Sequence, residues 1–551
     1  MNTQKHIKKE IQYSLKTHYS VASIILIVSI LFGCENNYLS SKKQQTDGDD
    51  LKDRPNILLI LADDLGYTDV GFFGGEISTP NLDTLANDGI KLTNFHVAPM
   101  CFATRAMLMS GMTHPEAGAY KHNDAITNNI SILPERLINN GYHTYMAGKW
   151  NLGVQAHQGP SIRGFESSYA LLPPADNHLG YSNFQDTKEY AAYRENGEAI
   201  AMLPKDWFSS ELFTDKLIEY IDNNKDDRRP WFGYLAFTAP HLPLQAPDEW
   251  IDKYAGQYDL GYDAIRETRN NNATALKIFP ENLSLEKYVG KAENWENLSL
   301  EDRNISSRAM EIYAAMVENM DFHIGRLIQY LDNESLLDNT LIIFMSDNGA
   351  AGSDSSWRPK LIPRSDWDNS LFNMGREGSW TAYGRGWAEA ATAPYKDIKG
   401  SLHSGGTLSP TFFWHKSIKN QGNYNRSYLT VMDILPTLMD ATQIDINDEK
   451  STFASPPIRG RSFWKLIQGD NDAEIDRIRA IPWMTSEKKQ ALVRWPWKII
   501  RNHDDDPVKD INIENDKWLL FNLKNDPGET NNVSDEYPDI KLELLSAWIN
   551  V

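Results

Sequence analysis

Two apolar segments that are far apart in the chain both end in adjacent side-chain oxygen groups. Asp63 and Asp64 follow the segment NILLILA, and Asp347 and Asn348 follow the segment TLIIFMS. If both segments are parallel strands of one sheet, their carboxyl ends meet at one edge, where α/β proteins bind ligands. Three carboxylates gathered there would repel one another without a cation, and all-oxygen ligands favour Ca²⁺ or Mg²⁺. The alternative is that these residues only form turns, in which Asp and Asn are common.

The segment PMCFATRAML, at residues 99–108, places a cysteine and an arginine four residues apart. If a helix begins near Cys101, Cys101 and Arg105 lie on one helix face. The first N–H groups and the dipole of such a helix favour an anion, and reactive cysteines are often found at helix N-termini near cations. A buried structural cysteine accounts for the same spacing, so both interpretations stay open at this point.

Composition excludes several classes of protein. The chain has 551 residues, of which 41% are hydrophobic, so it can form a large core. Its formal net charge of −20 excludes nucleic acid as a partner and requires local cations at any anion site. Its two cysteines cannot build a disulfide framework. A bridge between Cys34 and Cys101 is arithmetically possible, but each cysteine has a local explanation.

The first 53 residues are typical of an exported, lipid-anchored protein. Lysines precede an apolar run at residues 21–33 that is too short to span a bilayer and predicts a secretory signal peptide. The segment LFGC then resembles a bacterial lipobox, which predicts a lipoprotein signal peptide over 1–33 and lipidation of Cys34. A plain signal peptide or an uncleaved anchor is the alternative. Residues 34–53 are predicted to be a flexible tether, so we expect attachment to a bacterial membrane on its periplasmic or cell-surface side.

Helical patterns alternate with buried-strand patterns over residues 54–444. This order predicts an α/β catalytic domain with a large central mixed sheet flanked by helices. Residues 445–551 predict a smaller α+β domain made of an antiparallel sheet and one helix. The predicted strands of the large domain lie within residues 54–66, 91–97, 142–150, 230–237 and 339–349, and the predicted helices of the chain lie within 79–90, 132–140, 214–224, 307–333, 428–442 and 538–550.

Residues 351–400 lack a clear period and are rich in Gly, Trp, Ser and Arg. Long irregular segments in compact enzymes often serve the active site. Three tryptophans in this segment, Trp357, Trp367 and Trp380, are therefore candidates for stacking on a sugar or aryl ring. Packing in the core accounts for each of them equally well.

A family resemblance makes the interpretation of Cys101 specific. The segment CFATR matches the sulfatase signature Cys-x-Pro/Ala-x-Arg, and further blocks follow in family order over residues 54–530. The chain resembles the formylglycine-dependent sulfatases, in their bacterial arylsulfatase-like branch, which have an alkaline phosphatase-like fold. Besides CFATR, the matching blocks are RPNILLILADDLGYTDVGFFGG, MSGMTHPEAGAY, GYHTYMAGKWNLG, FTAPHLPLQAP, LIIFMSDNGA, APYKDIKGSLHSGG and NLKNDPGE.

The resemblance implies a sulfuric ester hydrolase that acts on a sulfated carbohydrate or an aryl sulfate. It also implies that a maturation enzyme oxidises Cys101 to formylglycine (3-oxoalanine), an aldehyde. A serine nucleophile would become a stable sulfate ester, whereas a hydrated aldehyde has two hydroxyls. One hydroxyl attacks sulfur, and the other, once deprotonated, re-forms the aldehyde and expels sulfate.

The family motifs also imply roles for individual residues. Four oxygen ligands and the modified Cys101 would hold one Ca²⁺ ion, with Mg²⁺ as the less favoured ion. Arg105 would stabilise the formylglycine hydrate, and Lys149 would bind sulfate and the nucleophile. His241 and Lys399 would contact sulfate and protonate the leaving oxygen, and His178 would line the substrate pocket. The implied calcium ligands are Asp63, Asp64, Asp347 and Asn348.

The sequence departs from the family pattern at two positions. Asn151, in GKWNLG, replaces the usual histidine, which is thought to deprotonate the formylglycine hydroxyl. An asparagine can hydrogen-bond there but cannot accept the proton. Turnover is then slow, or His403 or His241 takes the role, or the site has drifted from catalysis. Ser404 replaces a glutamate of the family, with an effect that the sequence does not define.

Two alternative functions therefore accompany the sulfatase hypothesis. The first is a phosphate or phosphonate ester hydrolase of the same fold. The second is a catalytically impaired protein that binds sulfated glycans, which Asn151 favours. Lys149, His241 and Lys399 favour sulfate over phosphate as the bound group.

Overall fold

A computed structural model describes most of the chain that follows residue 53. The predicted signal peptide, the lipidation site Cys34, the tether and Trp357 lie outside the described residues. Among the described helices, none combines the length and the apolar composition that a membrane crossing requires. The described residues are 54–180, 192–279, 290–352, 367–419, 421–447, 457–470, 479–486, 489–502 and 518–550.

Most of the described strands belong to one large mixed sheet. The strands are β1 (Asn56–Ala62), β2 (Ile90–Leu92), β3 (Phe95–His96), β4 (His143–Lys149), β5 (Ser167–Leu171), β6 (Tyr193–Glu195), β7 (Glu198–Ala199), β8 (Trp231–Ala236), β9 (Thr340–Ser346), β10 (Thr411–Trp414), β11 (Tyr424–Asn425), β12 (Leu429–Thr430), β13 (Ile481–Ser486), β14 (Lys489–Arg494), β15 (Trp497–Asn502) and β16 (Leu519–Asn522). Ten of them form the large sheet in the order β11-β2-β10-β9-β1-β8-β4-β5-β6-β7, and a second sheet has the order β13-β14-β15-β16.

Helices connect these strands and cover the large sheet. Within it, β9, β1, β8, β4 and β5 are parallel neighbours, as expected for strands joined by helical connections. The helices are α1 (Pro80–Asp88), α2 (Cys101–Ser110), α3 (Leu133–Asn139), α4 (Ser209–Asp222), α5 (Asp248–Ile251), α6 (Gly261–Ala275), α7 (Leu300–Asn333), α8 (Gly384–Ala391), α9 (Ser404–Thr407), α10 (Ile434–Ala441), α11 (Trp464–Ile467) and α12 (Pro538–Ile549).

The central strands are buried on both faces. In β1, Leu58 and Ile60 join the hydrophobic core on one side of the sheet, whereas Ile57, Leu59 and Leu61 join the core on the other side. This alternation explains why β1 is an uninterrupted apolar run in the sequence. A third, smaller apolar cluster lies between the antiparallel sheet and α12.

The predicted fold class is confirmed, with local differences in the elements. The large mixed sheet flanked by helices and the separate antiparallel sheet are both present. Helix α7 begins seven residues earlier than expected, because the side chain of Ser299 accepts a hydrogen bond from the backbone N–H of Asp302. The predicted strand over 91–97 is divided, because β2 joins the large sheet while β3 pairs with β12.

Candidate active site

The register of β1 and β9 brings the two pairs of oxygen ligands together. Ala62 pairs with Ser346, so the next two residues of each strand leave the sheet at the same edge. The Asp64 N–H lies 3.3 Å from Oδ1 of Asp347, and Nδ2 of Asn348 donates to Oδ1 of Asp64 over 2.6 Å. All of these side chains are buried.

Two oxygens of this cluster have no hydrogen-bond partner among the described residues. They are Oδ2 of Asp64 and Oδ1 of Asn348, and both are shielded from solvent. Asp64 also has a left-handed backbone conformation with φ of 67°, which costs energy for a residue other than glycine. Buried unpaired oxygens and a strained ligand residue are what a cation site presents when only its protein atoms are considered.

Cys101 is the first residue of α2 and lies beside the carboxylates. Its Sγ is 3.6 Å from Oδ1 of Asp63 and 3.9 Å from Oδ1 of Asp64, and Nζ of Lys399 is 3.1 Å away. Burial and the charge of Asp347 raise the pKa of the Cys101 thiol to about 12. The site therefore does not support a thiolate nucleophile at neutral pH. In this respect Cys101 differs from reactive cysteines, whose pKa is low.

Three cations neutralise these carboxylates. Arg105 donates from Nε and from one terminal nitrogen to Oδ2 of Asp347, over 3.0 and 2.8 Å, and from the other terminal nitrogen to the Lys149 carbonyl oxygen. Nζ of Lys149 is 2.5 Å from Oδ2 of Asp63. Burial opposes the charge of Lys399, but its contact with Asp64 raises its pKa well above the ordinary value.

His241 reaches the same cluster from the segment that follows β8. Its Nδ1 lies 2.6 Å from the Leu242 carbonyl oxygen, so Nδ1 carries the proton, because a carbonyl can only accept. Its Nε2 then faces Oδ2 of Asp64 at 3.4 Å. Burial lowers the pKa of His241 to about 3 even though Asp64 opposes this shift, so the imidazole is neutral at pH 7.

Two other predicted histidines lie away from Cys101. Nδ1 of His178 lies 2.7 Å from Oγ of Ser209, and its Nε2 lies 2.9 Å from the His241 carbonyl oxygen. Only 1% of the surface of His178 is exposed. It therefore supports the His241 backbone instead of forming an open pocket wall. Nδ1 of His403 lies 3.1 Å from Glu529, which makes His403 part of the contact with the second sheet.

Asn151 lies two residues after Lys149 in sequence and has an unpaired side chain. Its backbone N–H donates to the Leu172 carbonyl oxygen, and its φ of 54° is left-handed. The side chain is buried, and neither Oδ1 nor Nδ2 has a hydrogen-bond partner among the described residues. A buried amide that makes no hydrogen bond costs free energy, and a bound group that hydrogen-bonds to it would remove this cost.

The two described tryptophans named in the irregular segment stack on each other. The rings of Trp367 and Trp380 stack with centroids 4.7 Å apart and an angle of 5° between their planes. Trp380 is 5% exposed, so packing explains this pair better than binding of a sugar or aryl ring.

The sequence did not indicate that His241 belongs to the possible metal group. One ligand atom each from Asp63, Asp64, Cys101 and His241 lie within 4.8 Å of one another. His241 lies after a third strand and has no short-range spacing to the other members, so only the folded sheet reveals its place in this group.

Comparison with known proteins identifies the family. The family model for sulfatases matches residues 55–444. An uncharacterised sulfatase of Schizosaccharomyces pombe is 37% identical over 532 residues, which cover 90% of this chain and 93% of the relative. An arylsulfatase of Klebsiella aerogenes is 34% identical over 414 residues, which cover 72% of this chain and 88% of the relative.

Solved structures show the same fold at lower identity. The crystal structure of Ps i-CgsB in complex with k-i-k-neocarrahexaose has a TM-score of 0.64 and 24% identity, over 90% of this chain and 92% of that chain. The structure of BT4656 in complex with its substrate D-glucosamine-2-N,6-O-disulfate has a TM-score of 0.58 and 19% identity, over 90% and 96% of the two chains. With the family model covering most of its length, this chain belongs to the sulfatase family and is a sulfuric ester hydrolase.

Proposed function

We propose that this enzyme hydrolyses a sulfate ester of a sulfated carbohydrate or aryl compound, with formylglycine at position 101 and one Ca²⁺ ion. The observation that carries the proposal is the position of Cys101. It begins a ten-residue helix, its thiol is held protonated, and a lysine lies 3.1 Å from its Sγ. Such a residue is poorly suited to act as a thiol but is well placed to carry an oxygen nucleophile.

The residues at the two strand ends fit a calcium ion. The donor set is mostly oxygen, and the unpaired Oδ2 of Asp64 and Oδ1 of Asn348 are available to a hard cation. Asp63, Asp64, Asp347 and Asn348 would hold the ion. When bound, it would offset negative charge on the sulfate group and on the nucleophile.

The remaining residues bind and orient the substrate. In formylglycine, one hydroxyl of the hydrated aldehyde supplies the nucleophile and the other supplies the route for sulfate release. Lys149 and Lys399 provide positive charge for a sulfate group, which the net acidic protein otherwise repels. Arg105 holds Asp347 through two N–H groups and so fixes one side of the site. Lys399, whose pKa is raised, is the charged group placed to donate a proton to the leaving oxygen, and the unprotonated Nε2 of His241 faces the same site as a hydrogen-bond acceptor.

The substrate class and the cellular location extend this proposal. BT4656 has a sulfated sugar as its substrate, which supports a sulfated carbohydrate for this related fold. A lipoprotein signal peptide and a lipid anchor at Cys34 would place the enzyme outside the cytoplasmic membrane, where sulfated polysaccharides are accessible. A formylglycine-generating enzyme would act on Cys101 before export is complete.

The proposal is tested with protein coexpressed with a formylglycine-generating enzyme. Mass spectrometry of the peptide that contains residue 101 should show the aldehyde, and the protein should hydrolyse 4-nitrophenyl sulfate faster than 4-nitrophenyl phosphate. Faster phosphate hydrolysis would favour the phosphate or phosphonate ester hydrolase. An unmodified thiol together with no hydrolysis of either ester would refute the proposal.

A second candidate function rests on Asn151. Its buried, unpaired amide can bind a hydroxyl but cannot accept a proton, which fits a protein that binds sulfated glycans with little turnover. Asn151→His separates the two functions. If the aldehyde form binds glycan sulfates without releasing sulfate, and Asn151→His restores release, the binding function is correct.

A further inference from the structure

An exposed histidine packs against Phe102, the residue that follows Cys101, and has no role in the mechanism described above. His122 is in the segment between α2 and α3. Its ring contacts Phe102, with centroids 4.9 Å apart and an angle of 64° between the rings. Phe102 directly follows Cys101 in the first turn of α2. This contact places the imidazole next to the position from which the nucleophile acts.

The segment that carries His122 is held by specific hydrogen bonds. Oδ2 of Asp124 accepts from the backbone N–H groups of Tyr120 and Lys121, each over 3.0 Å. His114 lies 2.7 Å from the Ala119 carbonyl oxygen through Nδ1, and its Nε2 contacts the second sheet at the Met484 carbonyl oxygen. The backbone on both sides of His122 is therefore fixed, which suits a residue that recognises a ligand.

The charges that act on His122 belong to the active site. The side chain is exposed, yet desolvation by the surrounding protein and the positive charges of Lys149 and Lys399 lower its pKa to about 4, against the opposing charge of Asp64. Solvent access combined with crowding by protein atoms is typical of a cleft wall. At neutral pH the imidazole is uncharged, so it offers one N–H donor and one nitrogen acceptor.

We propose that His122 is a specificity-determining residue that hydrogen-bonds a hydroxyl group on the alcohol part of the substrate, next to the sulfate ester. Lys149 and Lys399 would take the sulfate group, and the exposed ring of His122 packs on Phe102, one residue after Cys101. The two nitrogens of the neutral imidazole can donate to and accept from a sugar hydroxyl, whereas a plain aryl ring offers them no hydroxyl to hydrogen-bond. The substrate class is then a carbohydrate sulfate with a free hydroxyl near the ester, and this inference rests on the proposed function.

The test compares two substrate classes across three variants. His122→Ala should lower kcat/KM for galactose 6-sulfate and N-acetylglucosamine 6-sulfate about tenfold, and for 4-nitrophenyl sulfate by less than about twofold. His122→Gln, whose amide also donates and accepts, should recover most of the loss. His157→Ala, which changes an exposed histidine elsewhere, should behave as wild type. An equal loss on both substrate classes, or no loss on either, overturns the inference.

A binding measurement separates this inference from the proposed function. The same sugar sulfates are titrated calorimetrically into protein that keeps the unmodified Cys101 thiol, for wild type and His122→Ala. An affinity about tenfold weaker in the variant supports the role of His122 even if no ester is hydrolysed. Equal affinities, or no binding of either sugar to wild type, overturn it.

Discussion

Two buried clusters of charged side chains are attached to the segment after β1, and they differ in how fully they are paired. In the first, which we call the Arg269 network, Arg269 donates to both carboxylate oxygens of Glu76 and to Oδ1 of Asp69. Oδ2 of Asp69 accepts from the Gly66 N–H and from the Tyr313 hydroxyl. Both carboxylates are therefore satisfied by protein groups alone.

The second cluster is the active site, and it is not complete. Oδ2 of Asp64, Oδ1 of Asn348 and both polar atoms of Asn151 are buried without hydrogen-bond partners among the described residues. Native proteins rarely leave buried polar groups unpaired, because each one costs about 1–3 kcal/mol. The comparison shows that burial and charge alone do not identify a functional cluster. The two clusters differ in that the active site gathers unpaired oxygens of two ligand residues at one point, whereas the carboxylates of the Arg269 network are paired.

The largest difference between the clusters should appear in activity. Cys101→Ala should lower kcat/KM for 4-nitrophenyl sulfate by about 10³-fold or more, because the nucleophile is removed. The free energy of unfolding should change by about 1 kcal/mol or less, since only one small side-chain group is lost. Steady-state kinetics and chemical denaturation measure the two effects. Substantial activity in the variant would show that another residue carries the nucleophile.

The Arg269 network should show the opposite pattern. Arg269→Met leaves Asp69 fully buried and Glu76 partly buried without their cation, so the free energy of unfolding should fall by about 3 kcal/mol. Arg269→Lys keeps the charge but has fewer donors in a different geometry, so it should lose less. Urea denaturation of the three proteins measures this. A loss below about 1 kcal/mol for Arg269→Met would mean that the network does not stabilise the fold.

Matched carboxyl-to-amide changes extend the comparison to metal binding. Glu76→Gln should lower the free energy of unfolding by about 1–3 kcal/mol in chelator, since Arg269 loses a charged partner. Asp347→Asn should not lower the free energy of unfolding in chelator. The reason is that burial and the charge of Asp63 raise the pKa of Asp347 and so disfavour its charged form.

Calcium should then stabilise Glu76→Gln more than Asp347→Asn. At about 100 times its dissociation constant, it should add about 2.7 kcal/mol to wild type and to Glu76→Gln. Asp347→Asn should gain less, because one ligand charge is missing. Thermal unfolding with and without calcium measures the shift, and an equal gain in all three proteins would place the ion elsewhere.

Much of the fold follows from local sequence patterns. The long apolar runs of β1, β8 and β9 and the turn residues after them predicted the parallel centre of the sheet. The sequence did not predict α6, because this helix is rich in Asn, Thr and charged residues and buries only four residues. One of those four is Arg269, which is buried because it pairs with acidic residues that are far away in sequence.

Residue patterns predicted only part of the active site. The paired oxygens after β1 and β9 and the spacing of Cys101 and Arg105 are local signals; the oxygens indicated a cation site, and the spacing left Cys101 open as a reactive or a structural cysteine. Lys149 and Lys399 carry no such signal, and only the family resemblance selected them. The contact of His122 with Phe102 depends on the path of an irregular segment, which no periodic pattern defines.

The smallest expected effect is a difference in pH dependence between the two clusters. Burial raises the pKa of Glu76, but Arg269 lowers it overall below 4.5, so its stabilisation is present above the unfolded pKa and is lost as pH falls. The advantage of wild type over Glu76→Gln should therefore shrink by up to about 1.4 kcal/mol per pH unit below pH 4.5. Asp347 has a raised pKa, so in chelator wild type should instead lose stability relative to Asp347→Asn as pH rises above 3.8. Denaturation series from pH 3 to pH 7 measure both slopes, and slopes of the same sign would contradict the distinction between a completed and an incomplete cluster.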